Sequence, residues 1–258
     1  MVSVYILPGA IVAMLLWELV SPRTGARPER VKRWLANGAL GIAAYVLGRS
    51  LVGAGLVGLA LWSEQRGIGM LHLVDLPVWV EMALAIVLLD FVIWAQHAAF
   101  HAIPFLWPLH RVHHCDEALD VSTAWRFHPG EIILSLGVKA LAVIAIGPSP
   151  LAIVAFALLL AISAMFNHAH IRLPVWLDRS LSLLIVTPDA HRVHHGLESG
   201  FDRTNYGFFL NLWDRAAGCY KRLPPAQTDA LTLGSEGYAP DQSLARLLTQ
   251  PFRGPSQS

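Results

Sequence analysis

The chain is 258 residues long, 55% hydrophobic and only 14% charged, and its mean hydropathy of +0.50 lies outside the ordinary soluble range. A formal net charge of +1 supplies no field for nucleic acid or another polyanion. Two cysteines, Cys115 and Cys219, exclude a disulfide framework and a CxxC metal pair.

The first element is an apolar run over residues 2–20, broken only by Glu18. It lacks the basic start and small-residue cleavage site of a signal peptide, so a retained membrane span is expected. Residues 38–62 form a second run interrupted only by Arg49, and residues 76–95 a third that carries Glu81 and Asp90. At about 1.5 Å per residue each is long enough for a hydrocarbon core of about 30 Å. Gly53-Ala-Gly55 lies inside the second run without the strand context of a dinucleotide fingerprint, and close helix packing explains it better. Residues 131–146 and 151–166 are two further apolar runs, each about 24 Å long as helix. Gly147-Pro148-Ser149-Pro150 separates them, a strong helix break with Pro150 suited to a new first turn. They read as a helical hairpin. Residues 167–223 turn polar and form a compact cap, followed by a tail, 224–258, in which Leu244, Leu247 and Leu248 have the spacing of a short interfacial helix. The expectation is an all-α integral membrane bundle, three spans plus a hairpin, with a histidine-rich helical cap. Its units are 1–96, a catalytic unit 97–223, and the tail.

Eight of the twelve histidines fall into three clusters: His97-x3-His101, His110-Arg-Val-His113-His114 and His191-Arg-Val-His194-His195. Spacings of three and four place imidazoles on one helix face, with Cβ atoms roughly 5–6 Å apart, close enough to share an ion. The clusters must meet at one centre, so an even number of crossings separates them, which the hairpin supplies. The loop between the first two runs carries Arg23, Arg27, Arg30, Lys32 and Arg33 against Glu29 alone, while the loop near Gly67 has only Arg66. Excess basic residues mark the cytoplasmic side. The clusters are therefore expected at the cytoplasmic face, with His72 on the far side.

Eight histidines with His168 or His170 exceed what one tetrahedral ion uses, and suit two ions. A structural zinc site usually takes cysteine, and no HExxH protease motif occurs. Imidazole suits zinc, copper, iron and nickel alike. Location favours redox iron, because a histidine site at the membrane face is placed to oxidise a lipid chain with O₂, which zinc cannot do. Two rival readings use the same residues, a zinc-dependent lipid hydrolase and a metal-binding or transport protein.

From Asp90 to Arg222 the chain resembles the fatty acid hydroxylase/sterol desaturase superfamily, in particular its bacterial sterol desaturase branch. The resemblance rests on the three clusters and on Arg126-Phe-His128-Pro-Gly-Glu131, Phe166-Asn-His168, Pro188-Asp-Ala-His191, Asn205-Tyr-Gly and Trp213-Asp-Arg215, in order and at similar spacing. It implies two iron ions, O₂ as co-substrate, and hydroxylation or desaturation of a fatty acyl, sterol or related lipid. The branch shows His-Ala-Asn where this chain has His168-Ala169-His170, which leaves the tenth ligand open. The ligand set is His97, His101, His110, His113, His114, His168, His191, His194 and His195, with His170 as the open tenth candidate.

Ligating histidines usually pass the other ring N–H to a carboxylate or carbonyl. Asp90, His128, Glu131, Asp189 and Asp214 are the candidates around the ligands. Asp90 is equally suited to pair with Lys139 or Arg49, Arg126 with Glu131, and Cys115 is read as a bystander thiol. The chain has no haem attachment motif, iron–sulfur cysteine set or nucleotide fingerprint. Electrons must then come from a ferredoxin or cytochrome b5-like donor with its reductase. Arg111, Arg192, Arg203, Arg215, Lys221 and Arg222 offer that donor, or lipid headgroups, a positive rim.

Overall fold

The computed structural model describes residues 2–23, 30–52, 55–238 and 243–254. Arg27, Glu29, Gly53, Ala54 and the Arg49 side chain lie outside the described residues. The fold is helical, and among the described residues β pairing is limited to four isolated bridges.

The apolar runs become helices. α1 is Val2–Val20, and the second run divides between α2 (Arg30–Val52) and α3 (Gly55–Arg66). α2 begins at Arg30, well before the apolar run, because Arg33 and Asn37 find buried polar partners instead of water. α4 (Val78–Ala102), α6 (Pro129–Ile146) and α7 (Pro150–His168) are long and apolar enough to cross a membrane. They make the chain an integral membrane bundle.

The hairpin is formed by α6 and α7. Each begins with proline at its first position, where a missing N–H costs nothing, behind a side-chain cap: His128 accepts from Gly130 N–H at 3.0 Å and Ser149 from Ala152 N–H at 3.2 Å. These caps carry the helices past the apolar runs to 18 and 19 residues. α6 stops at Gly147, in the left-handed region with φ +69°. A Cβ there would also meet Ile68 O and His72 Cδ2, each at 2.8 Å, so glycine is required twice over. The turn thus docks on the 68–72 segment, and Glu81 clamps it by accepting from Ser149 N–H and Oγ–H, both at 2.8 Å. His72 sits at this end, away from the histidine clusters.

Ala60, Leu89, Ile93, Val143, Ile146, Ile153 and Phe156 form the core between α3, α4, α6 and α7. At the other end lies the cap: α5 (Trp107–His114), α8 (Val175–Leu181), α9 (Pro188–His194), α10 (Leu212–Ala216), α11 (Pro225–Ala230) and α12 (Leu244–Thr249). The tail helix forms where its leucine spacing predicts, but Leu247 is buried against Ala36, Leu40 and Val112. It packs on protein instead of lying in an interface.

Two ionic ties hold the cap to the bundle. Arg33 donates to Asp116 at 2.5 and 2.8 Å and to Asp120 at 2.8 Å, all fully buried. Arg23, following α1, pairs with Asp189 and with Asp229. Glu18, the lone acid of the first apolar run, accepts from Val121 N–H at 2.9 Å and His170 N–H at 2.6 Å. An acid in a membrane helix is costly without partners, and these are its partners.

Candidate metal centre

All nine histidines of the expected set converge, in two groups. His97, His101, His110, His114 and His194 form one, and His113, His168, His191 and His195 the other, with ring nitrogens in each group within 4.8 Å of one another. Their elements are the C-terminal ends of α4 and α7, all of α5, and α9 with the residue that caps it. His170 belongs to neither group. It follows the end of α7, where its main chain is tied to Glu18 and to Arg23 N–H, at 2.7 Å from its carbonyl. Cys115 also stands outside both groups.

The two His-Arg-Val-His-His repeats interleave. The first sends its outer histidines, His110 and His114, to the five-membered group and His113 to the four-membered one. The second reverses this: His191 and His195 go to the four-membered group and His194 to the five-membered one. Helix geometry explains the split. At about 100° per residue, position i+4 lies roughly 40° past position i and position i+3 roughly 60° short of it. Adjacent histidines therefore diverge, with ring planes at 83° for His113 and His114 and 87° for His194 and His195.

Hydrogen bonds orient the rings. His97 Nδ1 is 2.7 Å from Tyr206 O, His194 Nδ1 2.7 Å from Thr204 O, His168 Nδ1 2.6 Å from Ala164 O, and His110 Nδ1 2.8 Å from a Glu131 oxygen. Each partner is an acceptor, so each Nδ1 carries the proton and each Nε2 keeps its lone pair. Yet His97 Nε2 lies 3.0 Å from His110 Nε2, and His168 Nε2 lies 2.9 Å from His191 Nε2 and 3.0 Å from His113 Nε2. At His97 and His110, where both tautomers are fixed, two lone pairs face one another at that distance and repel unless a cation sits between them. The donor set fits a metal ion in each group.

Burial, followed by the neighbouring imidazoles, holds His113, His114, His191 and His195 well below the usual histidine range and lowers His194 to about 3. They are neutral at neutral pH, the form that binds metal.

The five surrounding candidates take different roles. Glu131 holds His110 directly. Asp214 acts through the main chain: it accepts from Tyr206 N–H at 2.8 Å and Gly207 N–H at 2.9 Å, fixing the turn whose carbonyl orients His97. Asp90 pairs with neither Lys139 nor a ligand and accepts from Trp213 Nε1–H at 2.9 Å. Trp94 returns the contact by donating to Asp214 at 2.8 Å, so α4 and α10 exchange a Trp–Asp pair in each direction. Asp189 binds Arg23, not a ligand. His128 caps α6 and reaches Leu248 O at 3.1 Å. The Arg126–Glu131 pairing is replaced: Arg126 donates to Val112 O at 2.8 Å and to Asn37 at 3.2 Å.

The Asn205-Tyr-Gly motif also gains a cause. Asn205 adopts the left-handed region at φ +52°, which asparagine tolerates, and its side chain binds Ala190 O and both main-chain groups of Lys221. Gly207 leaves no room for a Cβ, which would meet Leu210 O at 2.7 Å. The carbonyls of Thr204, Tyr206 and Ala164 were not readable from sequence, because every residue carries one. Of the basic rim, Arg111 stacks on Tyr238, Arg215 on Tyr220, Arg222 pairs with Asp178, and Arg192 donates to Thr228 O. Most of that rim is committed inside the cap.

A cavity of about 360 Å³ opens onto the five-histidine group, touching His97 and His110. Leu89, Ile93, Phe156 and Met165 give it apolar walls between α4, α6 and α7.

The fold and site define a membrane protein whose polyhistidine centre sits at one end of its spans, against an apolar cavity. Residues 82–219 match the fatty acid hydroxylase family, and the chain belongs to that family. It is 30% identical over 159 residues to an alkylglycerol monooxygenase of Danio rerio, covering 58% of this chain and 33% of the relative. To the alkylglycerol monooxygenase of Homo sapiens it is 29% identical, covering 51% and 28%, and to that of Caenorhabditis elegans 32% identical, covering 49% and 24%. The chain thus spans a third or less of the length of these relatives. No solved structure shows a significant match.

Proposed function

We propose that the chain is a membrane-bound di-iron oxygenase that hydroxylates or desaturates a lipid chain with O₂ and electrons from an external donor. The observation that carries this reading is the nine-imidazole centre facing an apolar cavity between membrane-crossing helices. His97, His101, His110, His114 and His194 would hold one iron, and His113, His168, His191 and His195 the other. Iron bound there supplies O₂ activation and abstraction of hydrogen from a C–H bond. The protein's own part is positional. Glu131 and the carbonyls of Tyr206, Thr204 and Ala164 fix the imidazole tautomers, and the cavity walls hold an alkyl chain against His97 and His110 while keeping water out.

The name of the relatives favours oxygen insertion over desaturation, and makes an alkylglycerol the first substrate to assay. A ferredoxin or cytochrome b5-like donor with its reductase fits the need for electrons, and the cytoplasmic face of a bacterial inner membrane fits the basic loop. Arg23 and Arg33 of that loop are also structural ion-pair members, so the orientation leans on Arg27, Arg30 and Lys32. The catalytic unit is residues 97–223.

The test is metal analysis of anaerobically purified protein, then turnover of 1-O-hexadecylglycerol and membrane lipids with O₂, NAD(P)H, reductase and carrier. Two irons per chain and a product formed only when O₂ and reductant are both present are expected. Product formation under argon, or without reductant, would refute the oxygenase and favour a hydrolase.

A further inference from the structure

The cavity wall is apolar except along one strip. Glu131, Ser135, Lys139 and Val143 recur every four residues on α6, so they share the face that lines the cavity. Gln96 joins them from α4, donating to Ser135 Oγ at 3.1 Å. Lys139 lies midway along α6, about 12 Å from Glu131 at 1.5 Å per residue. A lysine in the middle of a membrane helix is costly and needs a partner.

Among the described residues it has none. No carboxylate lies within ion-pair distance of Lys139 and no acceptor takes a hydrogen bond from it. Asp90, one of the partners the sequence allows, lies beyond ion-pair distance and directs Oδ2 to Trp213 Nε1–H instead. The carboxylate that acts on Lys139 through space is Glu131, which is already bound to His110. Nearby, Gln96 Oε1 is buried without a donor, and Ser135 spends its acceptor on Gln96 while its own proton remains available. Three polar side chains with unmet capacity therefore meet in a cavity that is otherwise hydrocarbon-like. Helix packing alone does not ask for that, since an apolar side chain would fill the position at lower cost.

We propose that Lys139, with Ser135 and Gln96, forms a recognition subsite for an acidic oxygen group of the substrate, set back along α6 from the carbon that meets the histidine centre. Lys139 neutralises the carboxylate, Ser135 donates a second hydrogen bond, and Gln96 accepts from a neighbouring hydroxyl or bound water. The subsite sets where along the chain the reaction falls, because it anchors one end while the cavity walls lead the other to His97 and His110. This rests on the oxygenase reading of the centre for its meaning, but not for its test.

The full chain in lipid nanodiscs is titrated with palmitate, 1-O-hexadecylglycerol and hexadecane, with uptake by empty discs subtracted. Wild type is expected to prefer palmitate over the neutral glycerol ether by about tenfold. Lys139→Met should reduce that preference to within about twofold, while Lys139→Arg should retain it. If Lys139→Met fails to fold, Lys139→Gln and Ser135→Ala replace it, and each should lose part of the preference. Equal binding of palmitate and the ether by wild type, or a preference unchanged in the variants, would overturn the subsite. Metal content of the same samples separates the two readings: palmitate preference without bound metal removes the oxygenase alone, and two metals without preference remove the subsite alone.

Discussion

Replacing Asp116 with asparagine tests how the second histidine cluster is held. Asp116 lies two residues after His114 and is fully buried, as are Arg33, Asp120 and Arg126. Two cations and two anions balance in this cluster. Arg33 donates to both Asp116 oxygens, and Thr123 Oγ1–H to one of them at 2.8 Å. Burial alone would raise the Asp116 carboxyl, but Arg126 and then Arg33 more than offset it, and it is held below the usual carboxylate range. Asp116→Asn keeps the shape and removes one charge, leaving two buried cations against Asp120. Breaking a buried pair on one side costs about 3–5 kcal/mol. At roughly 2–4 °C per kcal/mol for a chain of this size, the melting temperature should fall by about 6–20 °C.

The assay is thermal unfolding of the full chain in detergent, with Arg33→Met and the double variant alongside. Each single variant should be strongly destabilised. The double variant restores the balance between Asp120 and Arg126 and should recover much of the loss. The pH dependence has a definite sign. A carboxyl depressed in the folded state contributes stability that is fully present above its unfolded value of about 3.9 and is lost as pH falls through the folded value. The gap between wild type and Asp116→Asn should therefore be the same at pH 6 and pH 8, and narrow only below about pH 4. An Asp116→Asn protein within about 1 kcal/mol of wild type would refute the balance argument.

His113→Ala and His194→Ala should each reduce metal content from two ions toward one, because each removes a ligand from a different group, while membrane insertion measured by fractionation stays intact. Glu131→Ala should weaken metal binding about 10–100-fold in a competition titration by freeing the His110 ring, with Glu131→Gln losing less. Gly207→Ala should destabilise the cap by about 1–3 kcal/mol and loosen His97, since its Cβ has no space; unchanged unfolding and metal content would contradict this. Accessibility tags at Gly67 and Ser149 should report one side of the membrane and a C-terminal tag the other, and Gly67 sharing a side with the C-terminus would refute this topology.

The convergence of the histidines was legible in the sequence because helix periodicity is local. His97 and His101 need only one regular helix to share a face, and the doubled histidines of the two repeats announce themselves by spacing. The hairpin was legible for a similar reason: Gly147 and Pro150 are chemical stop and start signals, independent of what they pack against. The partners of Asp90, Asp189 and Arg126 were not legible, because partner choice is not local. A buried aspartate satisfies itself with whichever donor the tertiary fold delivers, and Trp213 lies more than a hundred residues beyond Asp90. Glu131 entered the candidates through the Arg126-Phe-His128-Pro-Gly-Glu131 motif, and it reaches His110 because it begins a helix whose first turn faces α5.

The two ends of the ligand set show the same division. His168 is to the four-membered group what the α4 pair is to the five-membered one, a contribution from the end of a membrane helix. It comes alone. One turn on from His168 stands Arg172, and α7 has already ended, its chain drawn off by Glu18 toward His170 N–H. A second imidazole on that face would need the helix to continue another turn, and the main chain is committed elsewhere. The spacing rule that identifies His97 and His101 therefore cannot supply a tenth ligand near His168. His170 is a histidine in the right neighbourhood but on the wrong piece of backbone. The asymmetry of five and four is built by a helix terminus, and a terminus is set by which main-chain groups find partners, not by which side chain lies two residues further along.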